Sequence, residues 1–551
     1  DDSNYQMPPE GDRLTKAEIV KVKAWIDQGL VWPAELSLKK PTFKRPLSLR
    51  KIDLPKFDAT HPIDRMLGDY FAENGVQYQV PLNDQQFLRR AKLDLLGQLP
   101  TAKELDEFSL RTEPNKRELM VDELLARDQD YADHWISFWN DLLRNDYAGT
   151  GFIDGGRKQI TNWLYKSLLK NKPYDQFVNE LISPTEQSGG FIKGIKWRGR
   201  VNASQIEPLQ FSQNISQVFL GINMKCASCH DSFIDDWKLD DAYGLAAIIS
   251  DTPLEMHRCD VGTGKNATSK FVFPTLGEID QTKPKKERLA QLSALMTTKQ
   301  NGRFSRTIVN RIWDRMTGRG LIHPVDVMAS EAWSESLLDV LANDLVDNGY
   351  DLKRTMKLIV TSKVYQSASV RLEENPNPSD AFVFAGVIAK RMTAEQFVDA
   401  VWLVTEAAPK NINAKIDVFS AGKGKKPLRK FNVRASLLRS NPLMRSLGRP
   451  NREQVVTTRP AELSTLQALD LSNGKILAGW LNAGAKRWLA RKSKQSWSNE
   501  QVVKNLFLES LSRQPSTAEL KSLGSGEEMT QEAMEDLLWI VTMLPEFQFV
   551  K

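Results

Sequence analysis

Apolar residues recur three and four positions apart along most of this chain. That spacing is the period of an α-helix and does not suit a strand. Ile63, Met66, Leu67, Tyr70 and Phe71 form one stripe, and Phe87, Ala91, Leu95 and Leu96 form another. Leu119, Val121, Leu124 and Leu125 repeat the pattern, as do Leu337, Leu338, Leu341 and Leu345, which stop at Gly349. Thr15 with Glu18 and Thr101 with Glu104 read as capping boxes, and Asp351 reads as an N-cap. The segment from Ile160 to Leu181 is interrupted at Pro173, and the segment from His134 to Leu143 carries two Trp. Alternating strand patterns are few, residues 193–201 being one candidate, and no internal repeat is visible. These patterns predict a mainly α protein: two large helical domains with irregular Gly/Pro-rich connections.

Composition places the boundaries. At 551 residues, 41% of them hydrophobic, the chain is long enough for several cores. Residues 33–57 are basic, Pro-punctuated and aperiodic, and read as a linker. Residues 58–255 then form one helical domain, 256–300 an irregular connection, and 301–551 a C-terminal helical domain. No apolar run approaches the roughly 18 residues of a membrane span. A net charge of +6 over this length is weak and does not favour nucleic acid. Three Cys exclude a disulfide scaffold.

One motif carries chemistry. Cys226-Ala-Ser-Cys229-His230 is C-x-x-C-H, the attachment pattern of c-type haem. On a helical turn, positions i, i+3 and i+4 share a face. Two thiols can then add to the vinyl groups while His230 reaches the iron as proximal ligand. The stripe Ile215, Phe219, Ile222, Cys226 and Cys229 places the motif at the end of an amphipathic helix. Three rivals exist: a thioredoxin-type pair without its βαβ context, a Cys₃His zinc set of Cys226, Cys229, His257 and Cys259, and buried inert cysteines. Thioether-bound haem is assembled outside the cytoplasm, so the expected compartment is the periplasm or the bacterial surface.

The other face of the iron has several candidate ligands. His257 leads, with its other ring nitrogen donating to Asp260 or Asp251 and Arg258 on a propionate. Met256, His134 and His323 are alternatives. Met224 should point elsewhere. Arg445, Arg449, Arg452 and Arg459 cluster within fifteen residues. They could hold propionates or an anionic glycan, or pair with buried carboxylates between helices. Trp135, Trp139, Trp163 and Trp313 could stack on a ligand or pack a core. Common hydrolase and nucleotide fingerprints are missing, and no catalytic residue can be named.

Met7-Pro8-Pro9 ahead of an amphipathic helix from Thr15 to Gly29 resembles the end of a small c-type cytochrome domain. The resemblance implies that residues 1–32 are the C-terminal remnant of such a domain. Met7 would then be an axial ligand of a second haem attached upstream. The plainer reading of Met7 is a loop residue before a helix.

Further segments resemble the planctomycete-type surface cytochromes with their partner C-terminal domain. They are Arg89-Arg90, Leu93 to Thr101, Trp135 to Arg144, Asn171 to Val178, Phe219 to Asp231 and Asp241 to Ala247. In the second half they are Arg306 to Trp313, Ser362 to Ser369, Arg391 to Gln396, Gly448 to Gln454 and Thr465 to Asn473. This chain departs from the pattern at Ser232, where many relatives have His, and at His323, where an acidic residue is common. The resemblance implies an exported haem protein of the kind often encoded beside polymer-degrading enzymes. Electron transfer to a redox partner or surface complex is the leading expectation. A haem enzyme with an open iron site, or a non-catalytic assembly component with structural haem or zinc, are the alternatives.

Overall fold

The computed structural model describes residues 14–29, 43–147, 160–195, 202–371, 382–419, 433–524 and 529–551. It is mainly helical, with two two-stranded antiparallel sheets among the described residues. By its contacts the chain divides into two units. One comprises residues 1–42 with Phe233–Asp236, and the other comprises Phe43–Ser232 with Trp237–Lys551.

In the smaller unit the helix Lys16–Asp27 starts at the expected capping box. Glu18 N–H donates to the Thr15 hydroxyl, and the Glu18 carboxylate accepts from Thr15 N–H. None of the helix is buried, and the stripe Ile19, Val22, Trp25 and Ile26 is exposed. Met7 lies outside the described residues, as do residues 196–201 of the candidate strand over 193–201, whose first residue instead ends the helix Gly190–Lys193.

The larger unit holds two hydrophobic clusters. One runs from Ile63 to Leu437. The other joins Leu93 and Leu99 to helices between Met392 and Val550. Trp135, Trp139, Trp163 and Trp313 are all buried in the first cluster, so they pack the core. The predicted break at Pro173 separates the helices Thr161–Leu169 and Tyr174–Ile182. Asp351 caps Leu352–Val360 through Arg354 N–H.

Two segments depart from the sequence reading. The expected linker is docked from residue 43 onward. Arg45 binds Glu335 and the carbonyls of Met328 and Ser330, while Arg50 binds Asp339. Buried Arg306 gathers Asp339 and the carbonyls of Pro46 and Ser48. Gly302 makes the approach possible, because a Cβ there would stand 2.4 Å from the Leu47 carbonyl oxygen. The expected irregular connection contains the hairpin Glu255–Arg258/Val261–Asn266 and the helix Lys285–Thr297.

The second sheet pairs Lys390–Arg391 with Phe549–Val550. It brings the chain end to the Arg89-Arg90 pair. Arg89 donates to the carbonyls of Ser510 and Glu546, and Arg90 to those of Lys551 and Ser367.

Candidate haem-attachment site

The helix Glu207–Leu220 ends at Gly221, whose φ of +58° lets the chain leave in the left-handed conformation. Ile222 N–H closes back on the Ser216 carbonyl. The motif therefore does not end this helix, as its stripe suggested. It forms a separate turn beyond it. Met224 is fully buried, and its carbonyl accepts the N–H and hydroxyl of Ser228. The Cys226 carbonyl accepts both Cys229 N–H (3.0 Å) and His230 N–H (3.1 Å). One helical turn thus sets positions 226, 229 and 230 on a common face, which is what the spacing required.

Cys226, Cys229 and His230 are each half-buried. His230 Nδ1 lies 2.8 Å from the Asp231 carbonyl oxygen. A carbonyl only accepts, so Nδ1 carries the proton and the lone pair of the neutral ring is on Nε2. Asp231 also accepts Leu239 N–H through its carboxylate, tying the turn to the start of the helix Leu239–Ala247. Burial, and then the neighbouring Cys259 thiol, push the Cys229 thiol pKa up.

The hairpin tip rests on this turn. Cys259 occupies the two-residue reversal between the strands with φ +53°, and its N–H donates to the Cys229 carbonyl at 2.7 Å. Asp260 accepts Ala203 N–H, and the Tyr243 hydroxyl accepts His257 N–H. The His257 ring turns its Nδ1 to the Glu255 carbonyl, 3.1 Å away. Neither expected carboxylate partner is there: Asp260 caps Ala203, and Asp251 pairs with Lys285. Arg258 is exposed. Among the described residues no group of three or more His, Cys, Asp or Glu side chains is gathered for a metal ion, the zinc set included.

The alternative histidines have their own surroundings. His134 is buried against Gly97 and edge-on to Trp135. Burial, with Arg315 and Arg434 nearby, pushes its pKa well below the usual range. His323 precedes a cis proline, and burial followed by Arg319 lowers its pKa.

The arginine cluster divides. Arg445 is exposed. Arg449 is buried, donating to the carbonyls of Ala435 and Leu438 and pairing with Glu395. Arg452 is wholly buried between Asp141 (2.8 Å), Asp146 (3.4 Å) and Glu395 (3.8 Å). Arg459 holds Asp141 at 2.7 Å and Glu395 at 2.5 Å, and both arginines reach the Ser137 hydroxyl. The arginines hold Glu395 far below the usual carboxylate range, although burial alone would raise it. Arg449 and Arg452 are thus committed to the chain's own groups, and propionate or glycan contacts for them are set aside.

A separate surface groove of about 480 Å³ is lined by Trp163, Lys166, Lys170, Lys172, Glu180 and Thr185. Lys166 pairs with Asp417 and Lys172 with Glu180, and Trp163 is only 4% exposed, which makes it a wall and not a stacking platform.

Residues 62–253 match the family PSCyt2, described as a protein of unknown function (DUF1549), and residues 287–525 match PSD1, a protein of unknown function (DUF1553). The chain carries both halves of this two-domain family. Neither the curated proteins nor the solved structures return a match. The Cys226–His230 turn lies in the PSCyt2 region. Asp141 and Ser137 of that region meet Glu395, Arg452 and Arg459 of the PSD1 region in one buried layer. Asp94 of PSCyt2 similarly accepts from Tyr365 and Lys390 of PSD1. Glu395 and Asp141 were missed by sequence reasoning. The one signal for them is that Asp141 lies in the segment Trp135–Arg144 and Glu395 in Arg391–Gln396.

Proposed function

We propose that this chain is an exported c-type haem protein in which Cys226 and Cys229 bind haem through thioethers and His230 is the proximal iron ligand. The observation that carries the reading is the helical turn on which the Cys226 carbonyl accepts both Cys229 and His230 N–H. The side chains fit that chemistry: both thiols are unbridged and half-buried, and His230 keeps its Nε2 lone pair because Nδ1–H is given to Asp231. Bound haem would supply an iron that takes up and releases one electron.

His257 is proposed as the opposing ligand. Its strand leads into the hairpin tip that touches Cys229, and its Nδ1–H is held by Glu255, leaving Nε2 as the coordinating atom. Electron transfer to a partner protein, connected with extracellular polymer use, is the role we assign. The helix Lys16–Asp27 and Met7 belong in this reading to the end of an upstream cytochrome domain that holds a second haem.

The test is a reduced-minus-oxidised optical spectrum of protein made in a periplasm competent for haem attachment. A low-spin spectrum that turns high-spin on His257→Ala supports the full assignment. A high-spin spectrum in the parent that responds to cyanide replaces electron transfer with small-ligand chemistry. A protein without a haem spectrum overturns the reading.

A further inference from the structure

Cys259 takes no part in the proposed haem attachment, yet it is bound to the motif. It comes from a different element, the tip of the 255–266 hairpin, and its N–H donates to the Cys229 carbonyl at 2.7 Å. A backbone bond of that kind brings two Cα atoms into the roughly 4.4–6.8 Å range that a disulfide spans. The two thiols also lie within each other's electrostatic reach. Two anchors hold the hairpin there, Tyr243 on His257 and Asp260 on Ala203, and the pairing of Arg258 with Val261 closes its tip. Cys259 is exposed and Cys229 half-buried, so an oxidant can reach the pair.

We propose that Cys229 and Cys259 form a disulfide in the haem-free chain, leaving Cys226 as the single thiol. The oxidant is a small-molecule or protein disulfide. A thiolate of the pair attacks it, forming a mixed disulfide and releasing one thiol. The second cysteine then displaces the other oxidant sulfur. One sulfur–sulfur bond forms in the chain, one breaks in the oxidant, and the two thiol protons leave with the two oxidant thiols. Cys259, the exposed member of the pair, attacks first. The pairing itself does not depend on haem. Its consequence, that Cys229 must be reduced before both thioethers can form, rests on the reading above.

The experiment uses the full chain produced in a cytoplasm without haem attachment. The folded protein is treated with oxidised glutathione, quenched in acid, alkylated after unfolding and digested with trypsin. The expected result is a fall from three labelled thiols to one, with peptide 226–238 linked to peptide 259–265 and the label on Cys226. Cys226→Ser should keep the link, and Cys259→Ser should abolish it. A bridge within peptide 226–238, a Cys226–Cys259 link, or three labelled thiols after oxidation overturns the proposal. None of these outcomes bears on whether haem binds when the attachment machinery is present.

Discussion

Between the PSCyt2 and PSD1 regions, Arg452 is wholly withdrawn from water and Glu395 nearly so, and each has several charged partners. At the Cys226–His230 turn the side chains are half-buried, and the geometry comes from the Cys226 and Asp231 carbonyls. The first place uses side chains to fix the backbone, and the second uses backbone to present side chains. Charges in a dry interior must be matched, because one left unpaired costs several kcal/mol. A presenting turn with no buried charge needs no such matching. The family motifs therefore carry two different meanings. Arg89-Arg90, the Glu395 segment and the Arg452 segment join the two halves, whereas the cysteine motif is the segment to which the proposed haem chemistry is assigned.

The contrast breaks most visibly at Glu395. Glu395→Ala leaves Arg459, Arg452 and Arg449 without their shared carboxylate and should cost about 3–5 kcal/mol of stability. Denaturant unfolding checks this, and a loss below about 1 kcal/mol would mean that the layer is not what joins the halves.

Asp133, one turn before Ser137 on the helix Asp128–Leu142, gives the core a pH dependence. Burial raises its pKa to about 7 against the lowering pull of Arg434 and of the Tyr165 hydroxyl. Its Oδ2 has no hydrogen-bond donor among the described residues. A carboxyl raised in the folded state stabilises fully below its ordinary value near 3.8. That contribution is lost as pH rises through about 7. Asp133→Asn should therefore flatten the fall in melting temperature between pH 4 and 8. An unchanged slope would place the ionised carboxylate comfortably in the core.

A smaller effect sharpens the steric side of the comparison. Gly97 has φ +66°, and a Cβ there would lie 2.3 Å from His134 Nδ1. Gly97→Ala should cost at least about 1 kcal/mol from the left-handed backbone alone. His134→Ala in the same chain should recover only the clash, so a double-mutant cycle separates the two terms. Full recovery would contradict the backbone contribution.

Helix positions, the capping boxes at Thr15 and Thr101 and the cap at Asp351 were legible because they are local in sequence. So was the common face of Cys226, Cys229 and His230, which follows from spacing alone. The docked segment from residue 43 was not legible. Its partners are Arg306, Glu335 and Asp339, far along the chain, and several of its contacts are backbone carbonyls, which carry no sequence pattern. The hairpin was missed because residues Val261–Asn266 are exposed throughout and show no alternation. The carboxylates expected beside His257 were chosen by proximity in sequence, whereas the strand geometry hands the ring to the Glu255 carbonyl.

At the other end of the scale, Cys226→Ser and Cys229→Ser should leave stability within about 0.5 kcal/mol, because the turn is held by backbone groups. The same variants test the haem assignment most directly. The chain, made where haem is attached, is denatured, separated by electrophoresis and stained for haem, in parallel with extraction by acid acetone. The parent should keep its colour through both treatments, and the variant lacking both cysteines should lose it. A parent chain that gives up its colour to the solvent, or never takes any, would contradict covalent attachment at Cys226 and Cys229.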